Sequence, residues 1–130
     1  MKIKVFFFLR QNIFMLYSII FSKKKERACI MTCVDFEYEK SVLTAKLSGE
    51  IDHHGATKIN HIIDDKLISY MPKVLVIDFT GVTFMDSSGV GLVLARNKFC
   101  RAMDISVYVQ SVDRQSSKIL ALAGIKTIRK

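Results

Sequence analysis

Val74-Leu75-Val76-Ile77-Asp78-Phe79-Thr80-Gly81-Val82-Thr83-Phe84-Met85-Asp86-Ser87-Ser88-Gly89-Val90-Gly91 reads as an apolar strand handing over to a helix. The run Val74 to Ile77 is continuously apolar and mostly β-branched, which predicts a central strand buried on both faces. Asp78 to Met85 carries the strand into a loop, and Ser87 to about Ala102 reads as a helix. A helix start gathers unpaired backbone N–H groups and the positive end of the macrodipole. A hydroxyl placed there can cap the helix, bind an anion or carry a phosphate. Ser87 and Ser88 offer two.

Upstream of this stretch, Val34, Phe36 and Tyr38 alternate with charged residues, as in a half-exposed strand. Leu43, Ala45 and Leu47 alternate with Val42, Thr44, Lys46 and Ser48 in a second strand ending at Gly49. The short connection at Glu39-Lys40 predicts a hairpin. Asp52 is placed to cap a helix whose Ala56, Ile59, Ile63, Leu67 and Tyr70 form an apolar stripe, with Pro72 as its stop. Downstream, Ile105 to Val109 reads as a strand and Ser116 to Ala123 as a helix, with Gly124 placed for a left-handed cap. Ile125 to Ile128 begins another strand. The pattern β-β-α-β-α-β-α predicts an α/β fold, a small sheet with helices packed against it.

The chain has 130 residues, half of them hydrophobic and a quarter charged, enough for one small domain with a packed core. The formal charge of +8 would suggest nucleic acid or an anionic membrane. It is concentrated at one end. Residues 1–30 hold seven Lys/Arg against Glu26, whereas residues 31–130 hold thirteen Lys/Arg against eleven Asp/Glu. The body is nearly balanced, so neither direct nucleic-acid binding nor a membrane is expected of it. Cys29, Cys33 and Cys100 are an odd set without disulfide-framework spacing, which suits reduced thiols.

Residues 1–30 read as a head outside the domain, which spans 31–130. The apolar run from Val5 to Phe21 is short for a spanning helix and contains Arg10, Gln11 and Asn12. No small-residue cleavage site follows it, so a signal peptide fits poorly. Lys25-Glu26-Arg27 can be encoded by a purine-rich run resembling a ribosome-binding site shortly before Met31. The head is therefore expected to be translated upstream sequence, with a weak membrane anchor as the alternative. The intact mass of the native protein decides between a start at Met1 and one at Met31.

Enzymatic motifs fail on spacing. There is no G-x-x-x-x-G-K-[ST] loop and no G-x-S-x-G elbow around Ser87. Asp52, His53, His54 and Ser87 supply the residue types of a triad, but composition alone does not make one. His54 and His61 lack metal-ligand spacing. No enzymatic activity, cofactor or metal is expected. The helix after Asp86 is apolar around most of its first two turns, at Val90, Leu92, Val93, Leu94 and Ala95, until Arg96, Lys98 and Arg101 restore a polar face. The surplus either packs deep in the fold or docks a partner. Gly89 and Gly91 disfavour a helix by about 1 kcal/mol each. Their bare backbone would let another protein approach the serines. Ser87 as a simple N-cap remains the plain alternative.

Leu47-Ser48-Gly49-Glu50-Ile51-Asp52-His53-His54 and Phe84-Met85-Asp86-Ser87-Ser88-Gly89-Val90-Gly91-Leu92 resemble the STAS-domain anti-sigma factor antagonists, and within them the sporulation members. The resemblance runs from about Met31 to Lys130. It implies a small mixed sheet with helices on one side, and a non-enzymatic, cytoplasmic phospho-switch. In that cycle the unphosphorylated protein binds an anti-sigma factor that is also an ATP-using serine kinase, and so frees sigma-F. The kinase then phosphorylates Ser87, and a PP2C-type phosphatase reverses this. The resemblance places Asp52 at the kinase-binding surface and Asp86, Ser88 and Gly89 around the phosphosite. Val90 and Leu94 complete the expected partner surface. An antagonist for a stress-response sigma factor, or a membrane-tethered STAS module, are the alternatives. Family members normally complete the last strand and add a C-terminal helix. Here the chain stops at Lys130, so a truncated C-terminal strand and helix, with apolar surface left exposed, are expected.

Overall fold

A computed structural model describes residues 32–128. The chain separates into Met1–Ile30 and Met31–Lys130. The expectations for the head, whether upstream translation or anchor, lie outside the described residues.

The described elements are β1 (Thr32–Glu39), β2 (Val42–Ile51), α1 (His53–Tyr70), β3 (Val74–Met85), α2 (Ser87–Ala102), β4 (Ser106–Gln110), α3 (Arg114–Leu122) and β5 (Lys126–Ile128). They form a five-stranded mixed sheet in the order β1-β2-β3-β4-β5. β1 is antiparallel to β2, and the remaining pairs are parallel. Each parallel step crosses over through one helix in the same direction. Crossovers of one hand then place all three helices on one face. There Leu43, Ala45, Leu47, Leu75, Ile77 and Val109 meet Ile59, Ile63 and Leu67 of α1, Val93 of α2 and Leu120 of α3 in one core. Val76, 7% exposed, points to the other face between Thr44 and Tyr108. Among the described residues no helix is long and apolar enough to cross a membrane.

Several boundaries differ from the sequence reading. The hairpin turn is Lys40-Ser41 rather than Glu39-Lys40, both at positive φ (52° and 64°), as a two-residue turn matched to strand twist requires. β2 runs past Gly49 to Ile51, because the far end of β3 continues to pair with it. α3 starts at Arg114 rather than Ser116, capped by Asp113. Its end is as expected: Gly124 lies at φ 81°, Gly124 N–H donates to Ala121 O, and Ile125 N–H donates to Leu120 O. That left-handed turn seats Ile125 in the core beside Leu120 and delivers the chain to β5. The final strand forms as three residues paired with Tyr108–Gln110.

β3 carries two register shifts against β2. Lys46 and Ser48 face Asp78 and Gly81, and Gly49 and Glu50 face Val82 and Phe84, so β3 holds one extra residue at each place. Gly81 permits the first, since a Cβ there would lie 2.9 Å from Ser48 Cβ and 3.0 Å from Leu47 O. Beyond Asp78 the strand has left β4 and pairs with β2 alone. This extension delivers the chain to Asp86.

Candidate functional site

The three helices start at the same end of the sheet, following the C-terminal ends of parallel strands. Each is capped by an aspartate. Asp52 accepts from Gly55 N–H, Asp86 from Ser88 N–H and Asp113 from Ser116 N–H, each at 2.7 Å. Ile51 and Met85 are register partners, and Asp86 N–H donates to Ile51 O at 3.3 Å. These two facts bring Asp52, Asp86, Ser87 and Ser88 to one place, although thirty-odd residues separate the two motifs.

The capping assignment corrects the plain alternative for Ser87. Asp86, in extended backbone, is the N-cap of α2, and Ser87 is the first helical residue. Ser87 is exposed, and its hydroxyl hydrogen-bonds to no described residue. Ser88 is half-buried, and its N–H is consumed by the Asp86 carboxylate. Two adjacent hydroxyls therefore sit in different settings, with Ser87 the more accessible.

Gly89 also needs correction. It is buried, and a Cβ there would collide with Met85 Sδ and Cγ. Its missing side chain makes room for Met85 inside the domain rather than for an approaching protein. Gly91 differs: it is exposed, and a Cβ there would meet nothing within 4 Å. The apolar surplus divides in two. Leu92 and Val93 are core, Val90 is half-buried, and Leu94 is 37% exposed. Ser87, Gly91 and Leu94 thus share one accessible helix face, at spacings of four and three.

Arg96 does not belong to the polar face. It is 8% exposed, ion-pairs with Asp64 and donates to Asn60 O at 2.7 Å, both on α1. Burying a guanidinium is tolerable because carboxylate and carbonyl both receive it. The spacing held a signal: Arg96 continues the buried stripe of Gly89, Leu92, Val93 and Cys100. Burial pushes the Cys100 thiol up to about 11, with the Arg96 charge opposing, so it stays protonated and unreactive at neutral pH.

One surface feature escaped the sequence reading. Phe84 is 56% exposed, two residues before the cap, and Glu50 lies beside it across the β2–β3 pairing. His53 and His54 are exposed on the first turn of α1. A cavity of about 290 Å³ opens at the opposite end of the sheet, where Arg101, Tyr108 and Lys126 contribute to its wall.

The family model of the STAS domain matches residues 34–129. An anti-sigma F factor antagonist of Paenibacillus polymyxa is 28% identical over 92 residues, covering 71% of this chain and 79% of that protein. The solved structure of the anti-sigma factor antagonist SpoIIAA in its unphosphorylated form superposes with a TM-score of 0.64 at 26% identity, covering 74% of this chain and 87% of that one. The Bacillus cell fate determinant SpoIIAA in its phosphorylated form gives 0.64 at 25% identity, covering 75% and 91%. The five-stranded mixed sheet with its three helices agrees with these matches, and the family model spans most of the chain: the chain belongs to the STAS domain family.

Proposed function

We propose that this protein is a non-enzymatic anti-sigma factor antagonist, active when unphosphorylated and switched off by phosphorylation of Ser87. The observation that carries this reading is the division of labour at the start of α2. Asp86 satisfies the helix end, so the exposed Ser87 hydroxyl is spare. The relatives named as anti-sigma F factor antagonists support a sporulation sigma factor as the one released. The partner is an anti-sigma factor with serine kinase activity, using ATP, and a PP2C-type phosphatase restores the active form. The domain operates in the cytoplasm, where a sigma factor must be reached.

Phosphate at Ser87 adds about −1.5 to −2 charge at pH 7. The helix dipole offsets part of it internally, so the domain need not unfold. An attached partner fares differently. It must desolvate a dianion beside Asp86 and near Asp52. A coupling of 2–3 kcal/mol would weaken binding by about 30- to 150-fold.

The test is binding of the anti-sigma factor kinase to Ser87→Ala and Ser87→Asp by calorimetry, with phosphopeptide mapping of the wild type. Ser87→Ala should bind like wild type and take no phosphate, and Ser87→Asp should lose about 30-fold or more. Tight binding by Ser87→Asp, or label on Ser88, overturns the assignment.

A further inference from the structure

We propose that Phe84 is the aromatic anchor of this partner interface, held outward by a β-bulge, and that it enters an apolar pocket on the anti-sigma factor bordered by a lysine or arginine. The inference rests on the function proposed above. The second register shift in β3 carries it. Thr83 is the extra residue there, so Phe84 falls opposite Glu50 and Met85 opposite Ile51. Partners across a strand pairing share a face. Ile51 is fully buried, so Met85 points inward and fills the space that Gly89 leaves. Glu50 is exposed, so Phe84 points outward with it. Without the extra residue, Phe84 would stand opposite Ile51 and face the core, because a one-residue slip exchanges the faces. Bulges are a recognised means of re-aiming a side chain next to a functional site.

The outcome is a phenyl ring 56% exposed, three positions before Ser87, where the core could have held it. Exposed aromatics of this kind, rigid and rich in apolar area, supply much of the energy at interface centres. Charge defines what surrounds the pocket. Glu50 and Asp86 are exposed, and neither forms an ion pair among the described residues. A cation at the rim of the partner's pocket would meet Glu50 as the ring enters. Rim charges of this kind act chiefly on association rate and salt dependence.

The experiment uses the full chain and the purified ADP-bound anti-sigma factor kinase, with affinity measured by calorimetry. Phe84→Ala should weaken binding by about 30-fold or more while the melting temperature stays within about 3 °C of wild type. Leu122→Ala, which truncates a side chain 91% exposed on α3, should bind like wild type. Glu50→Gln should slow association and flatten its salt dependence. Because the chain contains no tryptophan, Phe84→Trp adds a single tryptophan, excited selectively over the tyrosines, whose emission should shift to the blue on binding. Wild-type binding lost in Ser87→Asp but retained within about threefold in Phe84→Ala, or emission unmoved in the complex, overturns the anchor and leaves the proposed function standing. Failure of the wild type to bind the kinase overturns both.

Discussion

The starts of α2 and α3 use the same materials and reach opposite results. Each follows a parallel strand, each is capped by an aspartate, and each carries serines in its first turn. At α3, Asp113 accepts from both the backbone N–H of Ser116 (2.7 Å) and its hydroxyl (2.8 Å), and Ser116 is 8% exposed. Those two bonds hold the Asp113 carboxyl below its ordinary value. At α2, Asp86 takes only the Ser88 N–H, and the exposed Ser87 hydroxyl is left over. Position decides the difference. Three residues past the cap, a serine hydroxyl can reach back to the capping carboxylate; one residue past it, the side chain leaves the helix end and faces solvent. A serine at a helix start is therefore a cap partner or an exposed hydroxyl according to its offset from the cap, not its identity.

The strongest way to break this contrast is to place a carboxylate at each serine. Ser116→Asp buries a second negative charge against Asp113 and should lower stability by about 2–3 kcal/mol, or Tm by about 10–20 °C. Ser87→Asp should stay within about 3 °C of wild type, its effect confined to binding. Equal losses in thermal unfolding would erase the distinction between the two sites.

A smaller effect sharpens the electrostatic side. Asp113→Ala should cost about 1 kcal/mol at pH 7, the usual worth of an N-cap. The folded carboxyl titrates below its unfolded value, so its stabilisation is complete above about pH 4 and is lost as pH falls through the folded value. Denaturant unfolding at pH 7 and pH 3 should show the gap between wild type and Asp113→Ala narrowing at the acid end. A gap that widens there would mean the carboxylate is not what Ser116 reads.

The smallest expected effect separates the two glycines of α2. Gly91→Ala should raise stability by about 0.5–1 kcal/mol, since helix propensity improves and nothing stands in the way of the methyl group. Gly89→Ala should forfeit that gain, because Met85 must move. Matched chemical melts distinguish the two. If Gly91→Ala also binds the proposed anti-sigma factor partner more weakly while being more stable, the open backbone at Gly91 belongs to the interface.

Much of the domain was legible because its signals are local. Alternation in β1 and β2, the apolar run in β3 and the stripe of α1 each reflect one side of one element meeting the core. Asp52 was identifiable as a cap, and Gly124 as a left-handed stop, from residue type and offset alone. The Asp86-Ser87-Ser88-Gly89 block was visible as a helix start for the same reason. What escaped was non-local. Arg96 looked solvent-facing until Asp64 and Asn60 of α1 supplied its partners. Gly89 looked bare until Met85 covered it. Phe84 read as part of the passage from strand to loop until the strand's extension to Met85 and its register shifts set which way it points.

The sequence by itself therefore determined the elements, their order and the two motifs that mark the family, since periodicity, turn chemistry and capping act within a few residues. Only the tertiary structure decided that Asp52 lies beside Asp86, that Ser87 rather than Ser88 is the accessible hydroxyl, and that Phe84 faces outward. The first and the last depend on how β2 and β3 are registered, and the second on Asp86, not Ser87, being the cap of α2. A strand pairing is a relation between distant segments, and the shift of a single residue exchanges every side chain between core and solvent.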